Sequence, residues 1–298
     1  MATSIGSCPP APPSPLPPPS QPLSKTATNM SINELSAKEG CWLQAHKAGE
    51  IFRELECLLR DICNRLKVNN KVENLTGAPQ PSQEAEKYTL VSRSHQDVLK
   101  ATVTLLNENI IQAEITLKHL KMAGGVFRST AIPNVQWKVQ QLQDTGNQCA
   151  RALQLVIKSK QRYDRCVKRN GYDGQSESLL LSMLTGVKDL ISEARTCLTM
   201  PRKKSLLELC QFQPTKCFNP PLAPDILLSY YISSTKIVCA AYQVVTLKQN
   251  GSQSVSVYQA EAQLPHLVDV LHSMNAVFSR AQDVINKFNA LKLRSDIL

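Results

Sequence analysis

Residues 134–163, with the sequence NVQWKVQQLQDTGNQCARALQLVIKSKQRY, decide the predicted fold of this chain. Apolar residues recur in this segment at alternating steps of three and four, which predicts a long helix with one apolar stripe. A lone helix of this kind is marginal in water, so the stripe needs other helices to cover it. The stripe consists of Val135, Val139, Leu142, Gly146, Cys149, Leu153 and Val156.

Three further segments have the same spacing and predict three more long helices. They begin near Cys41, Leu180 and Leu264, and their apolar stripes end near Leu66, Leu198 and Phe288. The last stripe is the longest, and we expect Phe278→Ala to cost about 3 to 5 kcal/mol if its ring fills the core. The members predicted for this last stripe are Leu264, Leu267, Leu271, Met274, Phe278, Ala281, Ile285 and Phe288.

Alternating patterns between these helices predict strands. Residues 99–105 and 111–117 alternate apolar with polar side chains, and residues 88–91 and 126–130 are candidates for flanking strands. Farther along, residues 230–232 and 237–247 have apolar side chains on both faces, and Asn250-Gly251 is a hairpin signal. Ser205 and Glu208 have the spacing of a capping box, which predicts a brief helix.

The predicted fold class is therefore α+β, with an antiparallel four-helix coiled-coil bundle and a smaller β-rich lobe that are each discontinuous in sequence. Residues 40–68, 134–200 and 264–292 would form the helical bundle, and Asn134 would cap the second helix. Residues 85–132 and 205–262 would form the β-lobe. Residues 1–38 are rich in proline and are predicted to form a disordered tail.

Composition sets limits on location and chemistry. The formal net charge of +10 suits an acidic partner, although solvated lysines are the simpler explanation. The N-terminal residues contain no apolar core of a secretory signal, which predicts reduced cysteines in the cytoplasm. No segment reaches the length of about 18 apolar residues that a spanning helix needs. Phosphate-loop, GxGxxG, HExxH and GxSxG patterns are absent, so we predict neither an enzyme nor a cofactor or metal site.

Two basic clusters are present: one ends the predicted second helix, and the other follows the end of the third. They could supply favourable charge at helix C-termini, or they could form a docking surface for an acidic lipid or protein. A leucine-zipper factor that binds DNA is disfavoured because Asn170-Gly171 breaks the helix directly after the basic run. A zipper-like homo-oligomeric or nuclear regulatory protein stays open as the alternative function. The basic residues are Lys158, Lys160, Arg162, Arg165, Lys168 and Arg169 in the first cluster and Arg202, Lys203 and Lys204 in the second.

Three stretches together resemble the Rogdi family. The first is QWKVQQLQD at residues 136–144, the second spans residues 194–201, and the third begins with Phe218-Asn219-Pro220 and continues to Tyr242-Gln243. Their order and spacing fit the family from about residue 40 to the C-terminus. The motif residues singled out are Trp137, Gln140, Gln141, Asp144, Pro201, Pro224 and Asp225.

This resemblance implies a non-enzymatic subunit of a RAVE or rabconnectin complex. In such a complex, a large β-propeller scaffold (rabconnectin or Dmx-like) helps the V1 sector of the V-ATPase rejoin its membrane sector, which acidifies organelles or synaptic vesicles. The resemblance implies a cytoplasmic protein that is peripheral to endosomal, lysosomal or synaptic-vesicle membranes through its partners, with a nuclear pool open. From the sequence we expect a monomer in isolation that does not bind nucleic acid.

Overall fold

The computed structural model describes residues 32–68, 84–92, 98–118, 125–201, 204–211, 216–246 and 253–296. Within these residues the chain forms five helices and nine strands. The helices are α1 (Ile32–Arg65), α2 (Gln140–Asn170), α3 (Gly174–Thr199), α4 (Leu206–Gln211) and α5 (Pro265–Asp296). The strands are β1 (Glu86–Ser92), β2 (Leu99–Leu106), β3 (Asn109–Lys118), β4 (Val126–Ala131), β5 (Trp137–Lys138), β6 (Phe218–Asn219), β7 (Ile226–Ser233), β8 (Lys236–Thr246) and β9 (Gln253–Gln263).

All nine strands belong to one antiparallel sheet, curled into a half-barrel. Eight of them follow the order β6-β4-β3-β2-β1-β9-β8-β7, and β5 pairs with β3 beside this path. The two halves of the chain meet where Val91 of β1 pairs with Glu261 of β9, and again where Thr130 of β4 pairs with Asn219 of β6. Strands that are far apart in sequence therefore form a single surface.

The predicted fold class is wrong in its arrangement. The structure contains five helices and one large curled sheet, and it is not a four-helix coiled-coil bundle with a smaller β-rich lobe. Buried residues of the four long helices and of the sheet form a single hydrophobic cluster, in which Leu55, Leu117, Val187 and Cys239 are completely buried. Heptad spacing identifies the apolar face of a helix. It does not show whether that face packs only on other helices or belongs to a core that also contains a sheet, as it does here.

The second helix begins later than predicted. Asn134 does not cap it: its backbone has φ of 67°, and α2 begins at Gln140 after Val139, which makes no side-chain cap. Trp137 and Lys138 pair with β3 instead, and the Val139 N–H donates to the Glu108 carbonyl at 2.7 Å. Two residues predicted as helix are thus held extended by a strand that precedes them by nearly thirty positions.

The strand predictions are mostly confirmed at residue level. Between β2 and β3, Asn107 adopts φ of 54° in a tight turn, a conformation that asparagine tolerates. The pairing shifts between Thr104 and Leu105, and this irregularity buries Ile110 while Ile111 is only half-buried. The Asn250-Gly251 turn lies outside the described residues, but β8 and β9 do pair as a hairpin. The predicted capping box is confirmed, since the Glu208 N–H donates to Ser205 Oγ at 3.3 Å and α4 follows.

The apolar stripe of α5 is rotated from its predicted position. Val270, Val277 and Val284 are buried where the prediction placed Leu271, Phe278 and Ile285, which are only partly buried. The Phe278 ring lies below two cations of α3, with Lys188 Nζ at 5.9 Å and the Arg195 guanidinium at 5.8 Å from its centroid. Phe278 is therefore a flanking residue and does not fill the core.

The Pro-rich segment from Pro9 to Pro22 lies outside the described residues. The tail predicted for residues 1–38 overlaps α1, which already begins at Ile32. Near this end of α1, the Ser36 hydroxyl donates to the Leu291 carbonyl of α5 at 3.0 Å.

Gly146 allows a test of the close packing between α2 and the residues that follow α1. A Cβ atom added at Gly146 would lie 2.7 Å from Val68 Cγ2, whereas a Cβ atom added at Gly49 in α1 would meet nothing within 4 Å. We expect Gly146→Ala to lower the free energy of unfolding by about 1 kcal/mol, because the clash outweighs the better helix propensity of alanine. Gly49→Ala should raise it by about 0.5 to 1 kcal/mol. Urea denaturation measures both, and a gain in both variants would contradict the close packing at Gly146.

Candidate interaction surfaces

Gln141 connects three elements through a single side chain. Its Nε2 donates to the Cys197 carbonyl of α3 at 2.8 Å and to the Ile232 carbonyl of β7 at 2.9 Å. Its Oε1 accepts the Ile232 N–H at 2.7 Å. Both atoms of the amide thus bond to the backbone of one β7 residue, as a neighbouring strand would. This geometry gives the motif glutamine a structural role.

Trp137 lies beside this junction and is 4% exposed. Its ring stacks on Phe218 of β6, with centroids 5.8 Å apart, and on Tyr230 of β7, with centroids 6.0 Å apart. Burial raises the pKa of the Tyr230 hydroxyl well above its ordinary value, so this side chain stays neutral. The three rings pack two motif segments against each other, and this packing is apolar.

The remaining motif residues lie at element ends. Gln140 Nε2 donates to Asp144 Oδ1 at 2.8 Å on the surface of α2. Pro201 follows the end of α3, and Pro224 is exposed just before β7. The Asp225 carbonyl accepts the Val244 N–H at 2.9 Å, which fixes the start of β7 against β8. The motif residues therefore do not converge on one site.

The two predicted basic clusters lie at opposite ends of α2 and α3. The end of α3 meets the start of α2 through Gln141, whereas the first cluster occupies the C-terminal half of α2. Lys204 is exposed, and Arg202 and Lys203 lie outside the described residues. The structure therefore does not bring the clusters together. In the first cluster, Lys160 is half-buried, and Lys158, Arg162, Arg165, Lys168 and Arg169 are exposed.

One additional residue extends the first cluster toward the middle of α2. Arg151 is exposed, and it precedes Lys158 by two helical turns on the same face. Steps of seven, four, three and four residues join Arg151, Lys158, Arg162, Arg165 and Arg169, which we call the basic ridge. Sequence analysis missed Arg151 because it lies apart from the dense run, although its spacing from Lys158 was visible.

Comparison with known proteins identifies the family. Residues 39–292 match the family described as Rogdi leucine zipper containing protein. The chain belongs to the Rogdi family. The rogdi homolog of Caenorhabditis elegans is 39% identical over 284 residues, which cover 94% of this chain and 95% of that protein. Protein rogdi of Drosophila melanogaster is 29% identical over 77% of this chain and 78% of its own length. The human rogdi homolog is 24% identical over 86% of this chain and 79% of its own length.

The names of these Rogdi relatives carry no enzymatic designation. Among the residues that the structure describes, no three histidine, cysteine or acidic side chains group together as metal ligands. Within the same residues, no helix combines the length and the apolar character needed to cross a membrane.

A buried polar network holds the helix ends of this Rogdi-family chain. Gln44 of α1 is 1% exposed, and its Oε1 accepts the Ser176 hydroxyl at 2.6 Å. Its Nε2 donates to the Asp173 carbonyl at 3.2 Å. The side chain of Asp173 in turn accepts the Ser176 N–H at 2.7 Å and caps α3. Sequence analysis did not find Gln44, because an isolated glutamine in a charged helix has no distinguishing signal.

A cavity of about 180 Å³ lies where the end of α1 meets the sheet and the start of α5. Two of its charged groups pair with each other: Lys67 Nζ lies 2.9 Å from Glu86 Oε1, and the Tyr88 hydroxyl donates to Glu86 Oε2. The Tyr88 hydrogen bond helps to lower the pKa of Glu86. Burial lowers the pKa of His266, which lines the same cavity. The cavity thus contains one ion pair, between Lys67 and Glu86, and a neutral imidazole at pH 7.

His266 should make stability depend on pH above the range in which carboxylates titrate. Its pKa is lowered in the folded protein and returns to about 6.5 on unfolding, so the unfolded chain binds more protons as the pH falls. We expect the urea midpoint to fall as the pH is lowered through about 6.5, and to fall less in His266→Gln. The imidazole would be shown not to contribute if the decline were the same in both proteins.

Proposed function

We propose that this Rogdi-family chain is a non-enzymatic interaction subunit of a RAVE-like complex. In this proposal it binds a large β-propeller scaffold of the rabconnectin or Dmx-like type together with V1 subunits of the V-ATPase. The complex promotes reassembly of V1 with the membrane sector and so acidifies organelles or synaptic vesicles. Family membership over residues 39–292 is the observation that supports the proposal.

The proposal places the chain in the cytoplasm, where partners hold it at endosomal, lysosomal or synaptic-vesicle membranes. A role as a rigid interaction subunit is compatible with the fold, because polar junctions at Gln141 and Gln44 fix the helices to each other and to the sheet. We do not propose the coiled-coil bundle as the means of binding, since the helices pack within the curled-sheet fold.

Affinity purification combined with a measurement of organelle pH tests this function. The chain, tagged at its own locus, should co-purify with the propeller scaffold and V1 subunits. Deletion should raise the luminal pH, and the intact chain should restore it. The proposal fails if neither scaffold nor V1 subunit co-purifies and the luminal pH is unchanged on deletion.

The zipper-like homo-oligomer is distinguished by the oligomeric state of the purified chain. A zipper between chains needs a free apolar stripe, but Leu142, Leu184 and Met274, in the stripes of α2, α3 and α5, are buried within one chain. We therefore expect light scattering to give the mass of a monomer at all concentrations. A dimer that dissociates and loses helical structure on dilution would support the alternative.

A further inference from the structure

The basic ridge concentrates the charge of the chain on one helix. α2 contains seven basic and two acidic residues, a net charge of +5, which is half of the formal +10 of the whole chain. Between Arg151 and Arg169 the only acidic residue of α2 is Asp164. Asp164 lies two residues from Arg162, so it points away from the ridge. Each ridge residue therefore faces solvent beside other cations.

Among the residues that the structure describes, the ridge cations bond mainly to neutral groups. Arg165 Nε donates to the Gln161 carbonyl at 3.1 Å, and Arg151 donates to the neutral Gln148 side chain at 3.4 Å. By contrast, two arginines of α1 are paired with carboxylates, Arg60 with Glu56 and Arg65 with Asp61 and Asp269. Charge at the C-terminus of a helix acts mainly within its last turn, so the dipole of α2 accounts for Arg169 but not for Arg151 or Lys158.

Two exposed aromatic side chains lie at the C-terminal end of the ridge. Trp42 of α1 is 61% exposed and stacks on His46, and Tyr172, directly after α2, is 41% exposed. Cys41 Sγ donates to the Tyr172 carbonyl at 2.9 Å, which places the start of α1, next to Trp42, beside the backbone of Tyr172. Tryptophan and tyrosine are the residues that favour the boundary between lipid headgroups and water.

We propose that the basic ridge, together with Trp42 and Tyr172, binds the surface of an anionic phospholipid membrane directly. The five cations span about 27 Å along α2, so they can act together on a charged plane. The ridge stands on the outer side of one helix and presents a convex line of charge, which suits a fluid lipid surface better than a folded acidic peptide. This proposal goes beyond the proposed function, in which partners hold the chain at the membrane.

Vesicle sedimentation with the full purified chain tests this contact. We expect binding to vesicles in which roughly one third of the lipid is phosphatidylserine, and little binding to phosphatidylcholine alone. The triple variant Arg162→Gln, Arg165→Gln and Arg169→Gln should bind 10- to 100-fold more weakly, since each cation near the surface contributes roughly five-fold. Salt at about 0.5 M should remove most of the binding by the intact chain.

A matched control distinguishes the effect of the ridge charges from the effect of a lower net charge on the chain. Lys87, Arg128 and Lys138 are exposed on the sheet, and their replacement by glutamine removes the same three charges. This control should bind phosphatidylserine vesicles within about two-fold of the intact chain. Trp42→Ala should weaken binding several-fold and leave the salt dependence in place.

Three outcomes would overturn the membrane proposal. The first is equal binding to both kinds of vesicle, and the second is an equal loss in the ridge variant and the control. The third is failure to bind phosphatidylserine vesicles while a polyglutamate column retains the chain through the ridge, which would assign the surface to an acidic protein. Because the assay contains no scaffold or V1 subunit, its result does not decide the proposed function.

Discussion

Phe52→Ala is expected to lower the free energy of unfolding by about 3 to 5 kcal/mol. The Phe52 side chain is 2% exposed, and its ring centroid lies 5.4 Å from that of Tyr163 across the contact of α1 with α2. Truncation would remove buried apolar surface and leave a space that helices fixed at both ends cannot close. Urea denaturation followed by circular dichroism measures the loss.

Phe278→Ala provides the comparison because the chemical change is the same. The Phe278 ring is only partly buried and contacts the cations of Lys188 and Arg195. Its truncation should cost about 1 to 2 kcal/mol, from partial loss of apolar burial and of the cation–π contact. Equal losses in the two variants would contradict the assignment of Phe278 to the flank of the core.

Gln141→Leu is the second substitution with a large expected effect, a loss of about 2 to 4 kcal/mol. Leucine has a similar volume but cannot bond to Ile232 or to the Cys197 carbonyl, so partly buried backbone groups of β7 and α3 would lose their partners. Unfolding in urea gives the stability. Amide hydrogen exchange at Ile232 should accelerate, because its N–H is bonded to the Gln141 side chain.

The neighbouring glutamine is the control for this substitution. Gln140 bonds to Asp144 on the surface, a contact of the kind that contributes about 0.2 to 0.5 kcal/mol. Gln140→Leu should therefore leave both the stability and the exchange at Ile232 nearly unchanged. If the two variants behaved alike, the junction would not depend on the Gln141 amide.

Local sequence patterns were sufficient to predict that most of the helices and strands exist. Alternation identified β2 and β3, and the Ser205 to Glu208 spacing identified α4, because these features depend on residues within a few positions of each other. They did not reveal that β1 pairs with β9 or β4 with β6. Such pairs join residues far apart in the chain, and no local pattern records their pairing.

The phase of α5 shows a second limit of local patterns. Beside Met274 and Ala281, the helix has apolar residues on both flanks, with Val277 on one side and Phe278 on the other. Hydrophobicity alone favoured the larger Phe278. The position of α3, which brings Lys188 and Arg195 over that ring, decides that the valine column enters the core.

The candidate sites were predicted unevenly for a similar reason. The motif stretch identified Gln141 as a residue of interest but did not reveal its structural role. Its partners Cys197 and Ile232 lie 56 and 91 residues away in the sequence. The dense basic run pointed to the C-terminal half of α2. Residues that are adjacent in a helical sequence point in different directions, however, so the run did not define one face of the helix. Helical spacing adds Arg151 to the ridge, and partial burial sets Lys160 apart.

Among the strands that the structure describes, β7 ends the path of the sheet and is an edge strand. The Gln141 amide bonds to the N–H and the carbonyl of Ile232. Just past the strand, the Leu198 carbonyl accepts the Ser234 N–H at 2.8 Å. Unprotected edges recruit strands from other molecules and lead to aggregation. The junction that fixes α2 and α3 to the sheet therefore also occupies backbone groups that another strand could otherwise bind. We expect the loss of Gln141 to reduce solubility as well as stability.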